Sequence, residues 1–160
     1  MNKITLIFLL ISLLSTNTFS QSVEFEKYTL KNGLNVILHQ DNSAPVVTTS
    51  VMYHIGAKDE SSDKTGFAHF FEHLLFEGTK NIERGQWREI VNSNGGFFNA
   101  NTTADRTYYY SIFPSNNLEL SLWLESERML HPIINQVGVD TQKEVCLLYT
   151  SDAADESVCV

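Results

Sequence analysis

The sequence has few cysteines, no excess of positive charge and no apolar run of membrane-spanning length. Lys and Arg number 11 against 19 Asp and Glu, which gives a formal net charge of -8. A nucleic-acid binder normally presents a basic face, so this balance argues against that class. The mostly apolar stretch from Ile4 to Leu14 is shorter than the ~20 residues that a spanning helix needs. No internal repeat or low-complexity block is visible.

The first residues have the pattern of a secretory signal peptide. Lys3 precedes the apolar stretch, and Thr18 and Ser20 follow it. A positive start, a short apolar segment and small residues before the cleavage point are typical of such peptides. Residues 1–20 are therefore predicted to be a signal peptide cleaved near Gln21, which predicts an exported protein, periplasmic or secreted, with no stable membrane anchor. A buried N-terminal helix is the alternative.

Both cysteines, Cys146 and Cys159, lie in an unusual tail. In an exported protein two cysteines would raise the question of a disulfide. The stretch 146–156, however, resembles the translation of a transposon-end adapter used in preparing sequencing libraries. We therefore expect natural coding sequence over 21–145 and a non-biological tail over 146–160, with a genuine polar segment as the alternative.

The order of apolar and turn-forming residues predicts one α+β domain. Strand patterns cover 24–30 and 34–40, on either side of an Asn-Gly turn, and then 45–54. Helices are predicted over 65–77, 84–93, 116–130 and 136–145, and strands over 97–103 and 106–113. Strands and helices come in separate runs, which favours a largely antiparallel sheet with packed helices.

Capping and burial within these helices are predicted as well. Asp63 or Thr65 is expected to cap the helix over 65–77, Gly78 to close it in a left-handed conformation, and Ser115 or Asn116 to cap the helix ending at 130. The helix over 65–77 is apolar nearly all round, which predicts burial on most sides. In the helix ending at 130, the apolar side is assigned to Leu118, Leu122, Leu124 and Met129. The solvated face is assigned to Glu119, Glu125, Glu127 and Arg128, and Trp87 and Trp123 are interpreted as core anchors.

The informative segment is the pentapeptide His69-Phe70-Phe71-Glu72-His73. On a helix, His69 and His73 project from one face a turn apart, so both imidazoles can reach one Zn²⁺ at ~2.0–2.1 Å. Glu72 lies close enough in angle to take the proton of a water activated by that metal. This is the HxxEH inversion of the HExxH metallopeptidase motif. A structural cluster is the alternative, and the remaining histidines, which lack this spacing, are interpreted as surface or core residues: His39, His54 and His131.

Three segments together resemble the peptidase M16 family, which includes the insulinase, pitrilysin and mitochondrial processing peptidase groups. They are residues 65–79 (TGFAHFFEHLLFEGT), 95–100 (GGFFNA) and 107–110 (TYYY). The resemblance runs in consistent order over residues 24–145. It implies that His69 and His73 are zinc ligands and that Glu72 is the catalytic base of a zinc-dependent metalloendopeptidase.

The resemblance also implies a fold and a way of binding substrate. In the family two related α+β halves form a clamshell, and this chain would be most of the first domain of the N-terminal half, a truncated M16-type (LuxS/MPP-like) domain. The strand matching 98–102 is an edge beside the metal on which an extended peptide pairs. Asn99 and Ala100 match positions near the substrate. The alternatives are closure of a local turn for Asn99 and simple backbone clearance for Ala100.

The sequence departs from the family at the third zinc ligand. A catalytic zinc uses three protein ligands, and in the family the third is a Glu about seventy-five residues after the second His. That count ends at Leu148, Tyr149 and Thr150, none of which is acidic, and Glu144 comes too early. The chain as given is therefore predicted to bind zinc weakly or not at all and to be inactive, without its C-terminal half or partner M16 subunit.

Two functions are compatible with these residues. One is an exported zinc endopeptidase that cuts extended peptides. The other is a non-catalytic M16-like partner or binding subunit. The intact set of His69, Glu72 and His73 favours the enzyme, because an inactive subunit has no chemical need for these three residues.

Overall fold

A computed structural model describes residues 22–152, with side chains described as far as residue 146. The predicted signal peptide and most of the predicted tail lie outside these described side chains. The described residues divide into two compact units, with the boundary between Ala44 and Pro45. Within residues 22–152, no helix combines the length and the apolar content that crossing a bilayer requires.

The first unit contains a β-hairpin. Its strands, β1 (Glu26–Thr29) and β2 (Asn35–Leu38), pair antiparallel. Gly33 in the turn has φ 89°, a left-handed conformation that glycine adopts without steric penalty. The side-chain oxygen of Asn32 accepts a hydrogen bond of 3.2 Å from the backbone N–H of Leu34. The predicted hairpin is confirmed, with strands shorter than the sequence pattern indicated.

The second unit is built on a three-stranded antiparallel sheet. Its strands are β3 (Val46–Tyr53), β4 (Phe97–Thr102) and β5 (Thr107–Pro114), in the order β3–β5–β4. All three strands were predicted to within about two residues, the usual uncertainty of element ends. Strand β5 is central, and β4 lies at an edge of the described sheet.

Four α-helices of the described residues accompany this sheet: α1 (Phe67–Leu74), α2 (Gln86–Ser93), α3 (Leu118–Leu130) and α4 (Gln136–Asp152). Helix α1 contacts β4, β5 and α4, and α3 packs on β3 and β5. All four helices were predicted, and α4 continues into the segment interpreted as a tail. Helices packed on antiparallel strands confirm the predicted α+β class.

The core of the second unit lies between α2, α3 and the sheet. It is formed by five buried side chains: Ile82, Trp87, Val91, Phe113 and Leu124. Burying each aliphatic or aromatic side chain of this size contributes about 1.5–3 kcal/mol. A Cβ on Gly96 would lie 2.4 Å from a ring carbon of Phe113, so a glycine here lets strand β5 pack close to the start of β4.

The burial pattern of α3 differs from the prediction. Leu124 is buried, but Leu118 and Leu122 are 43% and 55% exposed, and Met129 is exposed as well. Of the predicted solvated face, Glu119 is exposed, whereas three residues are buried: Glu125, Glu127 and Arg128. The helix therefore turns much of its charged side, and not its leucine-rich side, towards the sheet.

The buried charged residues of α3 all have partners, as burial of a charge requires. Glu127 accepts hydrogen bonds from the side chains of Thr79 and Asn81, both at 2.8 Å. Arg128 and Glu125 form an ion pair with 3.1 Å between Nε and Oε2. The Arg128 guanidinium carbon also lies 4.2 Å from the Trp87 ring centroid and similarly close to the rings of Phe76 and Tyr109. Trp87 is thus a core anchor, as predicted. Trp123 is 39% exposed, so the same prediction for it is wrong.

Candidate metal centre

Helix α1 carries the HxxEH pentapeptide, and its N-terminus is held by a residue outside the helix. Gly66 occupies the N-cap position with φ 82°. The carboxylate of Glu60 accepts hydrogen bonds of 2.7 Å from the backbone N–H groups of Gly66 and Ala68. These bonds satisfy amides that a helix start otherwise leaves unpaired. A negative charge at this end also interacts favourably with the helix dipole.

The predicted caps of α1 are therefore wrong. Neither Asp63 nor Thr65 makes a side-chain bond to the helix start. At the other end, Leu75 is the C-cap residue. Gly78 does have a positive φ of 146°, but it lies beyond this cap. Similarly, Asn117 occupies the cap position of α3 without a capping bond, in place of Ser115 or Asn116.

His69 and His73 project from the same side of α1, as their spacing predicts. Their Nε2 atoms are 3.1 Å apart, and the ring centroids are 4.8 Å apart. Two nitrogens bound tetrahedrally to one zinc at ~2.0–2.1 Å would lie about 3.3 Å apart. The pair therefore has the spacing that two ligands of a single zinc ion require.

Gln142 of α4 fixes the orientation of the His73 ring. Its side-chain oxygen lies 3.1 Å from His73 Nδ1. A proton on Nδ1 that is donated to this oxygen leaves Nε2 unprotonated, which is the form that binds a metal. Burial, and then the neighbouring His69, lower the pKa of His73, whereas Glu72 and Gln142 act in the opposite direction.

Glu72 lies on the turn of α1 between the two histidines and is 8% exposed. Thr102 Oγ1 donates a hydrogen bond of 2.5 Å to Oε2 of Glu72. The hydroxyl of Tyr109 donates to the backbone carbonyl of Glu72 at 3.5 Å. Because burial raises the pKa of Tyr109, this hydroxyl stays protonated and remains a donor. Side chains from strands β4 and β5 therefore both contact Glu72 and hold this turn of α1 against the sheet.

The other side of α1 is more open than predicted. Phe67 and Phe71 are 51% and 38% exposed, so α1 is not buried on most sides. With Leu75, they line an apolar cavity of about 410 Å³ that reaches Glu72. Glu72 also borders a second cavity of about 770 Å³, which includes His73, Asn99 and Ala100.

Asn99 and Ala100 lie in the middle of β4. The Asn99 side chain is exposed, and its Oδ1 accepts a hydrogen bond of 2.8 Å from the backbone N–H of Ala100. Both residues line the second cavity, together with Glu72 and His73. Their predicted contact with substrate stays a prediction.

A third metal ligand does not appear in the described part of the chain. No group of three or more His, Cys, Asp or Glu side chains there is arranged to hold a metal ion. Glu144, the nearest acid in sequence to the expected position, is exposed. The predicted positions 148–150 lie beyond the described side chains. The described residues thus bring together two imidazole side chains and one carboxylate on adjacent positions of α1.

Sequence reasoning missed two polar residues of this centre, Thr102 and Gln142. Each contacts its partner across a long stretch of chain, from Thr102 to Glu72 and from Gln142 to His73. No local spacing or motif marks either residue. Only the packing of β4 and α4 on α1 identifies them.

The chain matches the family model described as insulinase (peptidase family M16) over residues 35–158. It is 41% identical over 105 residues to zinc protease PqqE of Helicobacter pylori, covering 65% of this chain and 24% of the relative. It is 31% identical over 140 residues to human mitochondrial cytochrome b-c1 complex subunit 1, covering 85% of this chain and 29% of the relative. It is 29% identical over 135 residues to a probable mitochondrial-processing peptidase subunit beta of Arabidopsis thaliana, covering 84% of this chain and 25% of the relative.

The fold is also similar to a solved structure. A crystal structure of a protease from Helicobacter pylori matches with a TM-score of 0.79 and 33% sequence identity, covering 86% of this chain and 33% of that one. The chain thus spans between 24% and 29% of the length of the three curated relatives.

Proposed function

Because the chain belongs to the insulinase family (peptidase family M16), we propose that it carries the catalytic helix of a zinc-dependent peptidase that hydrolyses extended peptides. The observation that supports this most directly is the 3.1 Å between the Nε2 atoms of His69 and His73, with Glu72 on the same turn. His69 and His73 would hold the zinc, with a third ligand from outside the described side chains. When bound, zinc supplies Lewis-acid polarisation of the scissile carbonyl and of the attacking water.

In this proposal Glu72 is the general base. Its carboxylate takes a proton from the attacking water and can return that proton to the leaving amine. Burial of Glu72 and the bond from Thr102 hold the carboxylate in one position, which reduces the loss of conformational freedom during the reaction.

Strand β4 is the proposed binding surface for the peptide. It pairs with β5 on one side and lies at an edge of the described sheet. Main-chain hydrogen bonds to such an edge bind extended peptides with little dependence on sequence. Asn99 and Ala100 would then contact the peptide backbone next to the histidine pair.

The test uses the protein at the full length of its relatives. We expect the zinc-loaded protein to cleave an internally quenched peptide, the chelated protein to lose this activity, and one equivalent of zinc to restore it. The 160-residue chain alone is expected to bind zinc weakly and to be inactive. A chelated full-length protein with unchanged activity would contradict the zinc-dependent mechanism.

A partner subunit without activity is the second candidate function. It is favoured by the similarity to chains that are themselves named as subunits, of the cytochrome b-c1 complex and of a processing peptidase. The same assay distinguishes the two. A full-length protein that binds no zinc and cleaves nothing, but copurifies with a second homologous chain, would support the partner role.

Export is proposed on the N-terminal sequence pattern alone. Fractionation of cells that express the full-length gene, followed by N-terminal sequencing, tests it. We expect the mature protein outside the cytoplasm, beginning close to Gln21. A cytoplasmic protein that retains Met1 or Asn2 at its start would contradict export.

A further inference from the structure

The second cavity beside Glu72 forms a groove along β4, lined by residues from both faces of the strand, which we call the β4 groove. Glu72 and His73 lie at one part of it, and two basic residues line another part, Arg84 just before α2 and Arg88 within it. Its volume of about 770 Å³ is enough for several side chains of an extended peptide. The charges that line it determine which side chains fit.

One of the two arginines already has a partner. Arg84 forms an ion pair with Glu77, whose side chain is only 8% exposed. Gln142 donates a further hydrogen bond to the other carboxylate oxygen of Glu77. The charges of Arg84 and Glu77 therefore offset each other within the groove.

Arg88 is different. It is exposed, and its guanidinium carbon lies 5.6 Å from the ring centroid of Phe98, a cation–π contact that favours a position at the groove wall. Among the described side chains, no carboxylate lies within ion-pair distance of Arg88. A guanidinium presents a fork of N–H donors that matches a carboxylate in geometry and charge. Arg88 is thus available to bind an acidic group that enters the groove.

The alternation of β4 determines which side chains of a bound peptide enter. Phe98, Ala100 and Thr102 are half-buried on the helix side, whereas Phe97 and Asn99 are exposed. A peptide that pairs with β4 also sends alternate side chains to the helix side. Phe98 is four residues from Thr102, the contact of Glu72, which corresponds to about 13 Å along the strand. A side chain that meets Arg88 is thus roughly two to four residues from the scissile bond.

We propose that Arg88 is a specificity-determining residue that selects peptides with an acidic side chain two to four residues from the bond that is cut. This inference rests on the proposed function, since it assigns a substrate class to the same site. The attraction is between charged groups near the surface, which contributes about 0.2–1 kcal/mol and so changes rates by up to about fivefold. It weakens as salt screens the charges.

The test compares peptides that differ at one position. Internally quenched peptides carry Asp, Asn or Lys at each of the second to fourth residues on either side of the cleaved bond. With the full-length protein, we expect Asp to exceed Asn in kcat/KM by about two- to fivefold at one such position, with Lys the poorest. In Arg88→Glu the order should reverse, and Arg88→Lys should keep a reduced preference for Asp. Lys80→Glu, an exposed charge reversal away from the groove, is the matched control and should leave the order unchanged.

Binding separates this inference from the proposed function. Fluorescence anisotropy of the same peptides on the full-length Glu72→Gln variant measures recognition without turnover. If zinc-loaded wild type cleaves no peptide, the proposed function fails, and binding still reports the preference. If wild type and Arg88→Glu rank the peptides alike in cleavage and in binding, Arg88 is not a specificity determinant. Arg88→Gln, with the charge removed but not reversed, should abolish the preference and covers the case in which Arg88→Glu does not fold.

Discussion

Thr102 Oγ1 and Glu72 Oε2 are joined by a hydrogen bond of 2.5 Å that ties edge strand β4 to helix α1. This bond connects the surface on which a peptide is proposed to pair with the group proposed to activate water.

Removing this hydroxyl should impair turnover more than binding. Thr102→Val keeps the shape of the side chain but removes the hydroxyl that donates to the Glu72 carboxylate. A hydrogen bond to a charged group contributes about 1.5–3 kcal/mol, so we expect kcat in the full-length protein to fall about tenfold or more, with KM little changed. Thr102→Ser, which retains the hydroxyl, should restore most of kcat. Equal kcat values for the Val variant and wild type would exclude a positioning role for Thr102.

Glu72→Gln should separate metal binding from catalysis. The amide cannot accept a proton from water, so kcat is expected to fall by about 10²–10⁴-fold. Zinc content, measured by atomic absorption, should stay at the wild-type level because the two histidines are unchanged. A variant that turns over at the wild-type rate would remove Glu72 from the role of base.

Gln142→Leu should weaken zinc binding. The change removes the acceptor for His73 Nδ1 and leaves the imidazole free to rotate. Loss of such an outer hydrogen bond typically costs 10–100-fold in metal affinity, which a chelating dye can measure by competition. Gln136→Leu, an exposed glutamine on the same helix, is the control. If both variants bind zinc equally well, Gln142 does not orient the ligand.

Arg128→Met should destabilise the second unit strongly. It leaves Glu125 buried and without its cation, a change that typically costs about 3–5 kcal/mol. Adding Glu125→Gln to Arg128→Met should recover part of this loss, because the uncompensated charge is then removed. Urea denaturation measures both variants. Arg106→Met, which removes a cation over the Tyr108 ring at a less buried position, is expected to cost about 1 kcal/mol or less. Purely additive losses in the double variant would argue against the ion pair.

The order of strands and helices could be predicted because each element has its own periodicity. The burial of Arg128 could not, because it depends on three aromatic rings contributed by distant segments: Phe76, Trp87 and Tyr109. A polar stripe on a helix is normally solvated, so α3 was assigned the wrong buried face. The prediction that Trp123 is a core anchor was wrong because it assumed the same buried face of α3.

The candidate metal centre likewise combines features that local spacing predicts with features that depend on tertiary packing. His69 and His73 project from one side of α1 because residues four apart lie on the same face of a helix, so their spacing was sufficient to predict this. The cap supplied by Glu60 depends on how the preceding loop folds back, and local capping rules selected Asp63 or Thr65 instead. Thr102 and Gln142 are likewise brought to the helix only by tertiary packing.

The bond from the Ala100 amide to the Asn99 side chain has a consequence for self-association. An exposed strand edge with unpaired amides can recruit the edge of another molecule and so begin aggregation. Asn99 occupies one of these amides with its own oxygen, so any incoming chain must first displace an internal hydrogen bond. Non-specific pairing with β4 is therefore less favourable, because an incoming chain must make other contacts that offset the loss of this internal hydrogen bond.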